Sequence, residues 1–382
     1  MTTPGTTICE NYRVRSEMRR PAPEKRPIVV KVGSSSLTTE LGGIDPAAIA
    51  AIVANVVASW DLGRPAVLVS SGAIAAGLPV LGLATRPTDL PGLQVAASVG
   101  QGRLMAMYSA EFGSRERQVG QVLLTRDVLA RREQYLNART ALERMLALGV
   151  VPIVNENDTV VVDEVRVGDN DSLAAIVSHL VGAGMMILLT DTPGLYSNDP
   201  LLSESVELLT AVRDTDEILD RLRSSTSRGT FGSGGVATKI AAARMAAWSG
   251  IPTVIASASD SHVVARAVVG EEVGTWVAPR QSGLSARKLW IAFGTPSEGT
   301  VEIDAGAARA LSQYGKSLLA AGVTRVTGGF GVGAAVEVVH ADVLVAKGLT
   351  SLTSDQVKRH RGEHSAVTGG EVIHRDDLVV LS

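Results

Sequence analysis

Short apolar runs alternate with longer Ala- and Leu-rich stretches through roughly the first 280 residues of the chain. The apolar runs have the length of strands and cover Pro27–Val32, Ala66–Val69, Val150–Val154, Met185–Leu189 and Pro252–Ala256. Stretches of helical period lie between them at Pro46–Trp60, Leu136–Leu148, Ser172–Val181 and Thr238–Ser249. Strands that alternate with such helices need crossover connections, which make the sheet parallel. The pattern predicts an α/β domain over residues 27–280, with a mostly parallel sheet sandwiched by helices.

The pattern changes after about Arg280, where shorter segments of β character are separated by glycine-rich turns. Only Ala305–Tyr314 has the period of a good helix in this part of the chain. Residues 281–285 are predicted to be a linker, and residues 286–382 a small β-rich domain. Residues 1–26 show no apolar periodicity and are predicted to be a disordered tail.

Composition narrows the class of protein. Hydrophobic residues make up 45% of the chain but aromatic residues only 3%, a mix that suits parallel strands covered by helices. The single cysteine, Cys9, cannot form an internal disulfide, which favours a reducing, cytoplasmic compartment. No apolar run approaches the roughly 18 residues of a membrane span. The net charge is −3 and no segment is strongly basic, which argues against nucleic acid as the main partner.

A lysine stands near the end of the first predicted strand, in Lys31-Val-Gly-Ser-Ser35. A glycine such as Gly33 lets backbone N–H groups converge on phosphate oxygens, and the lysine adds a mobile positive charge. A plain β-turn with an exposed lysine explains this segment alone about as well.

The second predicted strand runs directly into a helix of small residues, Ser70-Ser-Gly-Ala-Ile-Ala-Ala-Gly77. A helix N-terminus offers free N–H groups and a favourable dipole to an anion. Close helix packing explains the alanines equally well, but it does not explain Ser70, Ser71 and Gly72 at the strand end.

Amide and carboxylate side chains cluster in Asn155-Glu-Asn-Asp158 and in Val167-Gly-Asp-Asn-Asp171. An amino-acid substrate needs a carboxylate for its ammonium group and amides or N–H groups for its α-carboxylate. Asn and Asp are also ordinary turn formers, so each residue taken alone has a structural explanation. The density of the cluster favours a binding site.

A glycine-rich segment, Gly229-Thr-Phe-Gly-Ser-Gly-Gly-Val-Ala-Thr-Lys239, leads into a helix with a lysine in its first turn. A lysine there opposes the helix dipole, and a bound phosphate would explain its presence. Two lysines and several glycine turns at strand ends indicate phosphoryl transfer without a covalent enzyme intermediate.

Four motifs, in this order, resemble the amino acid kinase family, and within it the members that phosphorylate glutamate. They are Ser71–Gly77, Asn155–Asp158, Val167–Asp171 and the Gly-Gly-x-x-Thr-Lys of Gly234–Lys239. The C-terminal part resembles the PUA domain. The resemblance implies ATP-dependent phosphorylation of the γ-carboxylate of L-glutamate to L-glutamyl 5-phosphate, the first step of proline biosynthesis.

The resemblance also implies roles for individual residues. Lys31, Lys239 and Asp171 would be catalytic, with Asp171 orienting the two lysines. The residues that bind ATP would be Lys31, Gly33, Thr190, Asp191, Ser233, Gly234, Gly235, Val236, Ala237, Thr238 and Lys239. Glutamate would be bound by Ser71, Gly72, Asn155, Asp158 and Asn170. Mg²⁺ would bind mainly through the ATP phosphates, and no protein ligands are predicted for it.

Partners follow from the same resemblance: feedback inhibition by proline and assembly into a dimer or tetramer. RNA binding by the PUA-like domain is possible, but residues 286–382 carry 10 basic and 10 acidic groups, so charge does not favour it. One alternative is a sibling kinase acting on N-acetylglutamate, aspartate or carbamate. Another is a nucleic-acid-binding or regulatory protein that keeps a vestigial kinase.

Overall fold

The computed structural model describes residues 19–23, 25–39, 42–129, 131–160, 170–198, 206–225, 235–281, 283–363 and 371–381. The chain divides into two compact units. The first comprises Met1–Val128 and Arg132–Gly283, and the second comprises Leu129–Arg131 and Leu284–Ser382. The division near residue 283 falls inside the segment 281–285 that was predicted to be a linker.

The first unit is built on a sheet of eight strands among the described residues, in the order β3-β4-β2-β1-β5-β7-β8-β6. The strands are β1 (Ile28–Val32), β2 (Ala66–Ser70), β3 (Gln118–Leu124), β4 (Val150–Glu156), β5 (Met185–Thr190), β6 (Ala211–Arg213), β7 (Thr253–Ser257) and β8 (Thr275–Ala278). Neighbouring strands are parallel except β7 and β8, which are antiparallel. The predicted mostly parallel α/β sheet is therefore confirmed.

The described helices of this unit follow or connect the strands. They are α1 (Pro46–Asp61), α2 (Ala73–Gly77), α3 (Leu90–Gly113), α4 (Arg132–Ala147), α5 (Asn170–Leu180), α6 (Glu217–Ser225), α7 (Val236–Trp248) and α8 (Val263–Val268). Local sequence explains where α1 begins: the Asp45 side chain accepts a hydrogen bond from the Ala47 N–H at 2.9 Å, and Pro46 occupies the first helical position. The central strands β1 and β2 are buried at every residue, as expected for a sheet covered on both faces.

Helices α2 and α3 pack with their backbones in close contact. A Cβ atom on Gly100 of α3 would lie 1.7 Å from the Ala73 carbonyl oxygen, and one on Gly77 would lie 2.1 Å from the Ala96 carbonyl oxygen. Only glycine fits at these two positions. Because α2 starts at the end of β2, this contact fixes α3 beside the carboxyl edge of the sheet.

The segment 19–23 departs from the disordered tail that was expected over residues 1–26. Arg19 is 9% exposed, and its guanidinium donates hydrogen bonds to the carbonyls of Val273 (2.7 Å), Gly274 (2.9 Å) and Thr210 (2.5 Å). The Ala22 N–H donates to the Val268 carbonyl at 2.9 Å. This part of the tail is therefore packed on the first unit. The Arg19 guanidinium supplies the donors that these backbone carbonyls need. Residues 1–18 and 24 lie outside the described residues.

The second unit contains a five-stranded sheet in its described part, in the order β10-β9-β11-β12-β13. The strands are β9 (Gly299–Ile303), β10 (Val323–Gly328), β11 (Ala335–His340), β12 (Val343–Leu349) and β13 (Leu378–Val380). The described helices are α9 (Ala286–Leu289), α10 (Ala305–Tyr314) and α11 (Ser354–His360). The expectation of a single good helix was wrong, because α11 also forms behind a capping box between Thr353 and Gln356. The β-rich character is confirmed.

Within the described parts of the chain, no helix is both long enough and apolar enough to span a membrane.

Candidate active site

The parallel sheet brings the ends of its central strands to one edge. Strand β1 ends at Val32 and continues into Gly33, while β2 ends at Ser70 and continues into Ser71. Ligands of open parallel sheets bind outside the carboxyl ends of the strands. The predicted site residues that the structure describes lie in or just after the last residues of β1, β2, β4 and β5, or at the starts of α5 and α7.

Asp171 lies between two lysines at this edge. Its Oδ1 atom is 2.6 Å from Lys31 Nζ, and its Oδ2 atom is 3.4 Å from Lys239 Nζ. Asp171 is 1% exposed, and both lysines are buried. Strand β1 supplies Lys31, the first turn of α5 supplies Asp171, and the first turn of α7 supplies Lys239. Three distant parts of the sequence thus meet in one buried cluster of two positive charges and one negative charge.

Burial and charge act in opposite directions on this cluster. Burial by itself would raise the pKa of Asp171, but Lys31 and Lys239 together with hydrogen bonds outweigh it and hold that pKa below its ordinary value. For Lys239, burial lowers the pKa, and Asp171 counteracts the effect. The Asp171 carboxylate therefore stays ionised and keeps two ammonium groups close together, with an excess of one positive charge.

The start of α7 adds a further contact to Asp171. Thr238 Oγ1 donates to Asp171 Oδ2 at 2.7 Å and lies 2.9 Å from the Gly235 carbonyl oxygen. Thr238 was predicted to bind ATP, and in the structure its hydroxyl contacts Asp171. Gly235, Val236 and Ala237 form the beginning of the helix. Ser233 and Gly234, also predicted to bind ATP, lie outside the described residues.

A second acidic side chain follows β5. Asp191 Oδ1 accepts a hydrogen bond from Ser36 Oγ at 2.7 Å and lies 3.3 Å from Ser35 Oγ. Thr190 is the last residue of β5. The pair that was predicted to bind ATP, Thr190 and Asp191, thus stands beside the turn that follows Lys31.

A cavity of about 260 Å³ opens beside this cluster. Four of the residues that were predicted to bind glutamate line it: Ser71, Asn155, Asp158 and Asn170. Gly72 also lines the cavity and has a φ of 100°, a conformation that a side chain would strain. The structure thus brings all five together. Asn170 and Asp171 are consecutive, so the first turn of α5 joins the cavity to the lysine cluster.

Three amide and hydroxyl side chains form a hydrogen-bonded group on one wall of the cavity. Asn170 Nδ2 lies 2.9 Å from Ser71 Oγ, 2.9 Å from the Ser70 carbonyl oxygen and 2.8 Å from Asn155 Oδ1. Asn155 Oδ1 also accepts from the Glu156 N–H at 2.9 Å. This wall is therefore rigid, because each group is held by at least one backbone atom or a buried neighbour.

The charged groups of the cavity lining are Asp158 and Arg86. Burial raises the pKa of Asp158 to about 6, although the positive charge of Arg86 acts to lower it. Asp158 Oδ1 is buried and has no hydrogen-bond partner among the described residues. An unpaired carboxylate beside a guanidinium suits a ligand that itself carries both charges.

Two residues at this site, Arg86 and Gln101, were not predicted from the sequence. Arg86 lines the cavity from the connection between α2 and α3, and Gln101 of α3 contacts Asn155 from behind. The helical stretch that carries Gln101 contains three internal glycines, which hid its period. Arg86 stands in a loop without any local motif, so no signal in the sequence could have found it.

No group of three or more His, Cys, Asp or Glu side chains that could hold a metal ion occurs in the described ranges.

Known proteins resemble the chain along most of its length. A family model described as the amino acid kinase family matches residues 26–257, and one described as the PUA domain matches residues 299–368. A glutamate 5-kinase from Frankia casuarinae is 48% identical over 377 residues, which are 95% of this chain and 99% of that protein.

Two other relatives named glutamate 5-kinase show similar coverage. One from a Geobacter species is 43% identical over 363 residues, 93% of this chain and 97% of its own. One from Moorella thermoacetica is 43% identical over 374 residues, 96% of this chain and 99% of its own. The chain therefore belongs to the amino acid kinase family and carries a PUA domain in its C-terminal part.

Proposed function

We propose that this protein is a glutamate 5-kinase, which transfers the γ-phosphoryl group of ATP to the side-chain carboxylate of L-glutamate. The product would be L-glutamyl 5-phosphate, the first intermediate of proline biosynthesis. The relatives named glutamate 5-kinase, at 41–48% identity over most of the chain, support this activity. The amino acid kinase match supports the use of ATP.

The observation that carries the proposal is the adjacency of Asn170 and Asp171. Asn170 lines a small cavity that contains one carboxylate and one guanidinium, while Asp171 holds the two buried lysines. An amino acid bound in the cavity would present its side-chain carboxylate towards the lysine cluster. Acceptor and phosphoryl group would then meet at the carboxyl edge of the sheet, as direct in-line transfer requires.

In this mechanism the protein supplies position and charge rather than a nucleophile. The ammonium groups of Lys31 and Lys239 would neutralise negative charge that builds up on the transferred phosphoryl group and on the leaving phosphate. Asp171 would hold both of them at one carboxylate and aimed at the phosphates. The two lysines lie 2.6 Å and 3.4 Å from that carboxylate, so one anchor positions both.

Mg²⁺ would bind mainly through the ATP phosphates and would add further positive charge there, because Mg²⁺ keeps its waters and takes few protein ligands. ATP itself would lie against the turn after β1, the Thr190–Asp191 pair and the start of α7.

Hydroxamate formation tests the proposal directly. Purified protein, ATP, Mg²⁺ and hydroxylamine would be incubated with L-glutamate, N-acetylglutamate or L-aspartate, and acyl hydroxamate would be measured. We expect signal with glutamate, since Asp158 needs an ammonium partner that N-acetylglutamate lacks. Signal with N-acetylglutamate and none with glutamate would assign the protein to a sibling kinase instead. Binding of structured RNA without any turnover would favour a regulatory role.

Further properties belong to the same proposal. Proline would compete with glutamate for the cavity, because it shares the ammonium and α-carboxylate groups. The protein would work in the cytoplasm as a homodimer or homotetramer. Sedimentation analysis and glutamate kinetics with added proline would test the assembly and the inhibition separately.

A further inference from the structure

Gln101 stands behind the wall of the cavity rather than in it. Helix α3 carries this side chain, which is 9% exposed. Its Oε1 atom accepts a hydrogen bond from Asn155 Nδ2 at 2.8 Å, and its Nε2 atom has no partner among the described residues. Asn155 and its neighbour Asn170 both line the cavity, and Asn170 is 2% exposed. A buried glutamine that uses only its acceptor needs an explanation.

Backbone atoms determine which way each amide of this chain is turned. The Ser70 carbonyl can only accept, so the Asn170 atom 2.9 Å from it must be the NH₂ group. The Glu156 N–H can only donate, so the Asn155 atom 2.9 Å from it must be the oxygen. Asn155 therefore turns its own NH₂ group towards Gln101, which must answer with its oxygen.

The consequence falls on Asn170. Its NH₂ group has two hydrogens and faces three acceptors, Ser70 O, Ser71 Oγ and Asn155 Oδ1. No N–H of the Asn170 side chain remains for a carboxylate of a ligand. Its Oδ1 atom is buried and without a partner in the described part of the chain. The side chain of Asn170 can therefore offer a ligand only an acceptor.

We propose that Gln101 is a positioning residue for the amino-acid substrate: through Asn155 it holds Asn170 with its oxygen ready to accept a hydrogen bond from the substrate's α-ammonium group. Together with Asp158, this gives the ammonium two acceptors. The α-carboxylate is then left to Arg86 and to backbone N–H groups. The inference rests on the proposed glutamate kinase activity and adds to it the orientation of the substrate.

Removal of the acceptor at Gln101 tests this role. The Gln101→Leu substitution leaves Asn155 Nδ2 unpaired and loosens Asn170. We expect the KM for glutamate to rise about tenfold, because an unpaired buried donor is costly. The KM for ATP and kcat should change less than about twofold, since the lysine cluster is untouched. Gln101→Glu, which keeps an acceptor at the same place, should recover most of the glutamate affinity.

A double-mutant cycle separates this route from general damage. If Gln101 acts through Asn155, Gln101→Leu should have no further effect on the KM for glutamate in an Asn155→Ala protein. The proposal would be overturned if the KM for glutamate in the double variant rose by the product of the two single effects. Gln118→Leu, at an exposed glutamine of β3, is the matched control and should behave as wild type.

Inhibition by glutarate, which has both carboxylates but no ammonium group, tests the assignment of the ammonium. Gln101→Leu should leave the inhibition constant of glutarate nearly unchanged while the KM for glutamate rises. An equal rise of both would overturn the assignment. Thermal unfolding checks that each variant is folded, and Gln101→Asn, which withdraws the acceptor by one methylene, replaces a Leu variant that fails to fold. Wild-type turnover of glutamate tests the proposed function, whereas these ratios between variants test Gln101.

Discussion

Lys31 Nζ lies 2.6 Å from Asp171 Oδ1, although the two residues are 140 positions apart in the sequence. Both side chains are almost fully buried, so the pair has little water to screen it. The second oxygen of the same carboxylate serves Lys239 and Thr238. One carboxylate thus positions both lysines at the charged end of the site. Its loss should therefore displace both ammonium groups.

Neutralising Lys31 should lower kcat. We expect Lys31→Met to reduce kcat by about 100- to 1,000-fold, the usual cost of losing one group that stabilises transition-state charge. The KM for glutamate should change little, because Lys31 does not line the cavity. Steady-state kinetics with both substrates would measure this. Lys25→Met, at an exposed lysine of the same unit, is the control and should retain wild-type kcat.

Asp171→Asn should also lower kcat, by an amount close to that of Lys31→Met. Without the carboxylate the two ammonium groups repel each other and lose their common anchor. The Lys31→Met/Asp171→Asn double variant should then be no slower than either single variant by more than about threefold, because the two act as one unit. Fully multiplicative losses would contradict this account.

The pH dependence should reveal Asp158. Burial raises the pKa of this carboxyl to about 6 in the free protein. Below that pH the group is protonated and cannot pair with an ammonium, so kcat/KM for glutamate should fall as the pH drops through about 6. In Asp158→Asn the acidic limb should disappear, with a lower plateau. A limb that stays in the variant would assign the titration to another group.

The same shift predicts a change in stability with the opposite trend. The folded protein binds the Asp158 proton up to about pH 6, whereas the unfolded chain releases it near the ordinary pKa of 3.8. The contribution of this group to the free energy of unfolding is therefore complete below about pH 3.8 and is lost as the pH rises towards 6. Over that range, the difference in the free energy of unfolding between Asp158→Asn and wild type should shift steadily in favour of the variant.

Arg86 should bind the α-carboxylate of the substrate. The substrate pair L-glutamate and isoglutamine differs only there, since isoglutamine carries a neutral amide. We expect wild type to prefer glutamate in the hydroxamate assay, and Arg86→Gln to lose about tenfold in kcat/KM for glutamate but little for isoglutamine. Arg103→Gln, at an exposed residue of α3, should keep the wild-type preference. Equal losses with both substrates would exclude this role.

Two glycines of α3 should respond in opposite ways to alanine. Gly100→Ala places a Cβ 1.7 Å from a carbonyl oxygen of α2 and should destabilise the protein by about 1–3 kcal/mol or more. Gly102→Ala meets nothing within 4 Å and should stabilise the helix by about 0.5–1 kcal/mol. Thermal unfolding of the two variants compares them directly. The Gly100 variant should also lose glutamate affinity, because α3 carries Gln101.

The sequence predicted the central sheet well for a physical reason. Strands β1, β2, β4, β5 and β7 are buried on both faces, so they are continuous apolar runs that stand out in any sequence. Strand β3 at the sheet edge contains only exposed and half-buried residues and was missed. Helix α3 was missed because Gly92, Gly100 and Gly102 interrupt its pattern. Gly100, for one, is explained only by the contact with α2.

The site divides in the same way. The motifs around Lys31, Asn155, Asn170 and Lys239 lie at the ends of strands or at helix starts, where their chemistry could be predicted from the sequence. The contact from Gln101 to Asn155 depends on how two helices pack, and the direction of each amide depends on single backbone atoms. Thr238 was assigned to ATP by resemblance, and only the folded geometry shows its hydroxyl on Asp171.

Arg19 sets a practical boundary for anyone who shortens this protein. A version that begins after residue 23 would leave the carbonyls of Thr210, Val273 and Gly274 without the guanidinium that now binds them. Water would have to donate to these carbonyls instead, next to strand β8 at the end of the sheet. Removal of residues 1–18 alone keeps this anchor, and crystallisation trials should start from that length.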